Sequence, residues 1–208
     1  MSGLSSNSSE KEPVLSFSKT GTYILQLEVS NGKKTKKIQK EIIIVPDKGF
    51  AIIKDVKLGI SSASQTIGSY FSSKLRTVFK ENESISKVQA DQIDLVYFGL
   101  NDSFSFNQFV SPHKAQSVGF NANFTNQTKV INVQTLVLPE DFTKLDLTKL
   151  MALDAQNTLE TSKFFGATPL PKVVLFETQT GKKGAVLIKQ IVKDGNNSYL
   201  IADFRVMK

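Results

Sequence analysis

One histidine, no cysteine and 19 acidic residues define the chemistry open to this chain of 208 residues. Without thiols it has no disulfide, no thiolate nucleophile, no cysteine-ligated zinc and no iron–sulfur cluster. A lone His113 makes no histidine-based metal site, and it completes a Ser-His-Asp triad only if the fold brings it partners. Beside Ser111 and Pro112 it reads as a loop histidine. Two carboxylates run glycoside hydrolysis when they stand about 5 to 9.5 Å apart in a cleft. Asp94, Glu177 and Asp203, all on predicted strands, are the candidates for that, although strand carboxylates ordinarily face water.

Other loops carry weaker signals. Thr180-Gly181-Lys182-Lys183-Gly184 lacks the Gly-x-x-x-x-Gly-Lys-Ser/Thr spacing of a phosphate loop and precedes a strand, so it reads as a hairpin turn. Asn101-Asp102-Ser103 and Asp194-Gly195-Asn196-Asn197 are rich in oxygen but lack the spaced Asp pattern and distal Glu of a calcium loop; Asx-turns account for them. No metal and no cofactor is expected. The binding candidates are rings: Phe104, Phe106, Phe109, Phe120 and Phe124 fall within a stretch of Asn, Ser and Gln, where they would either receive a sugar or a partner surface or tuck the loop onto a sheet.

The net charge of +7 invites a nucleic-acid reading. The tightest basic cluster, Lys33-Lys34-Thr35-Lys36-Lys37, has no interleaved aromatics for bases to stack on, so nucleic acid is not an expected partner. No apolar run approaches the ~20 residues that span a bilayer. Met1 to Asn7 lacks the basic and apolar regions of an export signal, so export is neither indicated nor excluded.

The elements that must position these groups are mainly strands. Residues 1–12 are a polar, aperiodic lead-in. Val14 to Phe17, Tyr23 to Val29 and Thr35 to Val45 read as strands, with Asn31-Gly32 supplying the positive φ of a hairpin turn and Pro46 ending the region. Residues 49–208 form a second, larger domain. It contains a strand from Ala51 to Gly59, a short helix within Ser84 to Gln92, and a buried strand from Ile93 to Phe98. A long loop over 101–128 follows, then a strand from Val130 to Leu138 and a helix from about Asp141 to Leu159 with Leu147, Leu150, Met151 and Ala155 near 3.6 spacing. Three strands, Lys172 to Glu177, Gly184 to Val192 and Ser198 to Val206, close the chain as an antiparallel meander. The fold class is α+β: a short β region followed by a mostly antiparallel β domain with one or two helices.

The run from Phe17 to Gly32, with its aromatic, Gly21-Thr22-Tyr23 and alternating apolar positions, resembles the closing half of a PKD domain, an immunoglobulin-like sandwich. Residues 13–48 would then be a partial PKD-like region, with Tyr23 packing inward and its hydroxyl reaching backbone. The family's Trp-x-Phe-Gly-Asp-Gly stretch has no counterpart among the 16 residues before Phe17, so about three of some seven strands are represented. Val56 to Gly59, Ile67 to Ser72, Ile93 to Phe98, Ser111-Pro112 and Phe176 to Gly184, in that order, resemble a module that follows PKD-like domains in secreted or lipid-anchored surface proteins of Gram-negative bacteria. The resemblance implies an extracytoplasmic location, with any lipid anchor upstream of this chain, and carries no catalytic residues. The expected function is a non-enzymatic binding module for a glycan or protein. A polysaccharide hydrolase using two of Asp94, Glu177 and Asp203, and a structural spacer, are the alternatives.

Overall fold

The computed structural model describes all residues except 1–7, 12, 14, 16, 18, 45–48 and 159–162. The chain divides into two units, Met1–Asp47 and Lys48–Lys208.

The first unit is a two-stranded antiparallel ribbon, β1 (Gly21–Ser30) paired with β2 (Thr35–Ile44) through ten unbroken pairs. Asn31-Gly32 does start the turn, but as a four-residue loop: the Asn31 side-chain oxygen accepts from the Lys33 and Lys34 N–H groups at 3.0 and 2.8 Å. The Tyr23 ring lies tilted against Phe17 with centroids 4.6 Å apart, and its hydroxyl donates to the Lys19 carbonyl at 2.9 Å. Leu15 and Phe17 are not in a strand, while Val14, Ser16 and Val45 to Lys48 lie outside the described residues.

The second unit holds two antiparallel sheets. One is ordered β3-β11-β10-β9-β8, from β3 (Phe50–Gly59), β8 (Thr128–Ile131), β9 (Lys172–Thr178), β10 (Lys183–Val192) and β11 (Tyr199–Met207). The expected meander is its centre. The other is ordered β5-β4-β6-β7, from β4 (Tyr70–Ser72), β5 (Thr77–Phe79), β6 (Leu95–Gly99) and β7 (Asn107–Val110).

The smaller sheet, and the larger one at β9, are covered on both faces, which explains the unbroken apolar runs Leu95-Val96-Tyr97-Phe98 and Val173-Val174-Leu175-Phe176. Alternate residues go to opposite layers. Leu58, Phe71, Leu95, Tyr97, Phe109, Val174, Phe176, Val186 and Phe204 build the core between the sheets, where the Phe71 and Phe204 rings stack at 3.9 Å. Val173, Leu175 and Ala185 face the far side of the larger sheet, under Phe142, Leu145 and Leu150. Tyr70, Val96 and Val110 face the far side of the smaller sheet, under Phe120 and Phe124.

Side chains stitch the sheets together at both edges. The Asn132 amide donates to the Phe109 carbonyl and accepts its N–H, bridging β7 to the end of β8. At the opposite edge the Ser69 hydroxyl donates to the Gly59 carbonyl at 2.9 Å.

Among the described residues, helix is confined to short turns. α1 (Lys87–Ala90) has the capping box of Ser86 and Gln89 within the expected region. The helix expected from Asp141 to Leu159 shrinks to α2 (Leu147–Ala152), preceded by a 3-10 turn over Pro139–Lys144. Leu145, Asp146 and Leu153 are extended, so the chain buries its apolar residues by irregular turns rather than one helical stripe; residues 159–162 lie outside the described set. The strand expected from Val130 to Leu138 stops at Ile131, and the loop expected over 101–128 contains β7 and a 3-10 turn over Pro112–Val118.

Candidate functional site

A cleft of about 280 Å³ opens at one end of the two-sheet unit. Two hairpin loops supply its cations. Ser72 pairs with Thr77, so the β4–β5 connection is the four residues Ser73 to Arg76, and Lys74 and Arg76 line the cleft. The β9–β10 turn, closed by the Thr178 N–H to the Lys182 carbonyl at 2.9 Å, adds Lys182. Lys208 lines the same cleft, and Ala51, Val206 and Met207 give it an apolar floor.

Among the described residues, Lys74, Arg76 and Lys182 take part in no ion pair; the salt bridges formed are Lys37–Glu28, Lys144–Asp141 and Lys189 with Asp55 and Asp203. Three like charges on short loops raise one another's energy and attract a counter-charge. Arg76 adds backbone strain. Its φ of 54° is left-handed, a conformation that costs a residue with a Cβ about 1–2 kcal/mol and that glycine would adopt freely. Strain of this kind concentrates where a particular side chain is needed.

Asp94 stands behind the cleft. Its carboxylate accepts the Ser73 N–H at 2.7 Å, which holds the β4–β5 loop in place. Burial pushes its pKa up, opposed by the hydrogen bonding of Ser73 and the charge of Lys182. The site therefore pairs a desolvated carboxylate with the root of a cationic loop.

The other carboxylates are occupied elsewhere. Asp203 sits where the β3–β11 register slips, accepts the Asp55 N–H at 2.8 Å and pairs with Lys189 at 2.6 Å. Lys189 is itself the residue skipped in the β10–β11 register and also reaches Asp55 at 2.5 Å, so the three groups tie two neighbouring bulges together. Glu177 lies between Lys129 and Lys183 on the flanking strands. Asp203 aligns through Leu187 with Val173, four residues from Glu177. With ~3.4 Å per residue and ~4.8 Å per strand that is roughly 17 Å, beyond the span two glycosidase carboxylates need. The fold does not bring them together, and Asp94 precedes a strand of the other sheet.

His113 has a close partner: its Nδ1 lies 2.7 Å from the Ser111 hydroxyl. That hydroxyl also accepts the Thr128 N–H at 2.8 Å, and Ser111 is buried where β7 meets β8, so the pair fastens a corner.

The five phenylalanines differ in exposure. Phe104 and Phe109 are fully buried in the central core, and Phe120 and Phe124 pack edge-on against Tyr70 at 5.5 and 5.0 Å. Phe106 alone of the five keeps substantial exposure, 48%, beside Phe164. The polar neighbours masked β7, whose alternation sends Phe109 inward; Phe104 reaches the core through a left-handed turn at φ 54°. The cationic cleft was missed because Lys74, Arg76 and Lys182 are far apart in sequence and each looks like an ordinary turn residue.

Compared with protein families, curated proteins and solved structures, the chain matches none.

Proposed function

We propose that this chain is a non-enzymatic, extracytoplasmic binding module whose basic cleft takes an acidic glycan. The observation that carries the reading is the convergence of Lys74, Arg76 and Lys182, none of them ion-paired among the described residues, on one cleft with an apolar floor. Cations on two loops suit the carboxylate or sulfate groups of a polysaccharide, and Ala51, Val206 and Met207 suit the C–H face of a sugar ring. At about 280 Å³ the cleft is at the small end for ligand sites, the size for one charged sugar unit of a longer chain. The surface location rests on the resemblance of the Gly21-Thr22-Tyr23 ribbon and of the later motifs to bacterial surface modules.

Titration calorimetry with oligogalacturonate, a sulfated dextran and neutral dextran tests the reading. The two acidic glycans should bind and the neutral one should not, with affinity falling as salt screens the charges. The Lys74→Ala/Arg76→Ala/Lys182→Ala variant should bind roughly 100-fold more weakly, from about 1 kcal/mol per exposed charge contact. Equal binding of neutral dextran, an unchanged triple variant, or preference for a single-stranded oligonucleotide overturns the ligand class. Fractionation that places the native protein in the cytosol overturns the location.

A further inference from the structure

The register of the ribbon in the first unit fixes which side chains share each of its two faces. On one face Tyr23, Leu25, Leu27 and Val29 of β1 lie opposite Ile42, Lys40, Ile38 and Lys36 of β2. On the other, Ile24 meets Glu41, Gln26 meets Gln39 with an amide hydrogen bond of 3.0 Å, and Glu28 meets Lys37 in an ion pair of 2.9 Å. The second face carries these polar pairs at its centre but also leaves Ile24 67% exposed and Ile43, opposite Thr22, 63% exposed. The first leaves Leu27 61% and Ile38 68% exposed.

A two-stranded ribbon is marginal alone, whereas three or more strands sharing an apolar face are stable. The two outer edges differ in how they would accept another strand. β2 carries Lys36, Lys37 and Lys40, and two of these project onto the apolar face, the usual device against edge pairing. β1 carries one charge, Glu28, already neutralised by Lys37; it has no proline and its register has no bulge over ten residues. Among the described residues, one edge is guarded and the other is not.

We infer that β1 is a self-association edge, joining antiparallel to β1 of a second copy to give a four-stranded sheet ordered β2-β1-β1-β2. The pattern of side chains fits a two-fold pairing centred on Gln26. Leu25 then meets Leu27, Tyr23 meets Val29, and Glu28 meets Ile24 rather than its own counterpart, so no like charges face each other. The apolar halves of both ribbons, free of lysine, become continuous at the centre, and the lysine-bearing strands become the new, guarded edges. A second copy suits this edge because a pairing centred on Gln26 sets apolar side chains opposite one another and keeps the one charge, Glu28, away from its own counterpart. The inference is independent of the basic cleft.

Sedimentation equilibrium of the whole chain from about 5 to about 500 μM should show a reversible monomer–dimer equilibrium. Gln26→Lys sets two lysines opposite each other at the axis and Ile24→Lys places one beside Glu28; Gln26→Lys should weaken dimerisation at least tenfold and Ile24→Lys should not. Lys36→Thr/Lys40→Thr should unguard β2 and yield species larger than a dimer. Hydrogen exchange should show concentration-dependent protection in β1 and not in β2, which also confirms that the ribbon is folded in the variants. A monomer throughout the range, or a dimer that Gln26→Lys leaves intact, overturns the inference.

Discussion

Adding one methyl group at Gly184 tests the packing of the two-sheet unit more sharply than removing a large side chain. Gly184 lies on β10 between Phe176 of β9 and Val206 of β11. A Cβ there would stand 2.3 Å from Phe176 Cζ, 2.5 Å from Cε1 and 2.9 Å from Val206 Cγ1. Carbon atoms in contact want about 3.5–4.0 Å, so the Phe176 ring must retreat by more than ~1 Å. It has nowhere to go, being buried in the core between the sheets. The backbone at Gly184 is not left-handed, so no φ penalty confuses the result. Overpacking of this kind costs about 1–3 kcal/mol, and the alanine returns about 0.4–1 kcal/mol through the unfolded chain. Gly184→Ala should therefore lose about 1–2 kcal/mol in urea unfolding, seen as a lower midpoint at unchanged slope. Phe176→Leu removes the ring atoms that clash. Alone it should cost about 1 kcal/mol, but the double variant should be more stable than the sum of the two by more than about 1 kcal/mol. A Gly184→Ala protein as stable as the wild type, or additive losses, would refute the placement of Phe176 over Gly184.

The core and the pH response offer further tests. Phe204→Ala should cost about 4 kcal/mol, because the ring is fully buried against Phe71, whereas Phe106→Ala should cost less than about 1 kcal/mol; equal losses in denaturant titrations would contradict their different burial. Asp94 and Asp55 should respond to pH with opposite signs. Burial raises the Asp94 pKa in the fold, so its stabilising contribution is present below the ordinary carboxylate pKa of about 3.9 and is lost as pH rises through its folded value. Asp94→Asn keeps an acceptor for the Ser73 N–H, so it should exceed the wild type in stability at neutral pH and converge with it in acid. Asp55 is held below the usual range by the hydrogen bond and charge of Lys189, so its contribution is present above about pH 3.9 and is lost on further acidification. Asp55→Asn should be the less stable at neutral pH and show a shallower acid loss. The two variants shifting the pH profile in the same direction would undo this assignment.

Several elements were legible because local pattern and tertiary environment agree. The meander of β9, β10 and β11 follows from turn residues at Gly181 and Gly195 between runs of β-branched residues, and the hairpin of β1 and β2 from alternation around Asn31-Gly32. The Tyr23 hydroxyl reaches backbone as the sequence suggested. β7 was not legible: Asn107 and Gln108 look like loop residues, yet both are buried, Asn107 accepting from the Tyr97 hydroxyl at 3.0 Å. The helix over 141–159 failed for the reverse reason. Its apolar spacing is real, but Phe142, Leu145, Leu150 and Ala155 reach the outer face of the sheet through short turns, and Asp146 caps a new start by accepting the Lys149 N–H.

The sequence by itself determined a largely antiparallel β protein and, with no cysteine, the absence of thiol chemistry. These depend on composition and on periodicity between neighbours. Which groups meet across the fold was decided only by tertiary structure. Register and sheet order buried four of five phenylalanines, set Asp203 and Glu177 apart, and gathered Lys74, Arg76 and Lys182 from separate turns into one cleft. The physical reason is that alternation along a strand says that two faces exist, while the covering layers settle what each face touches.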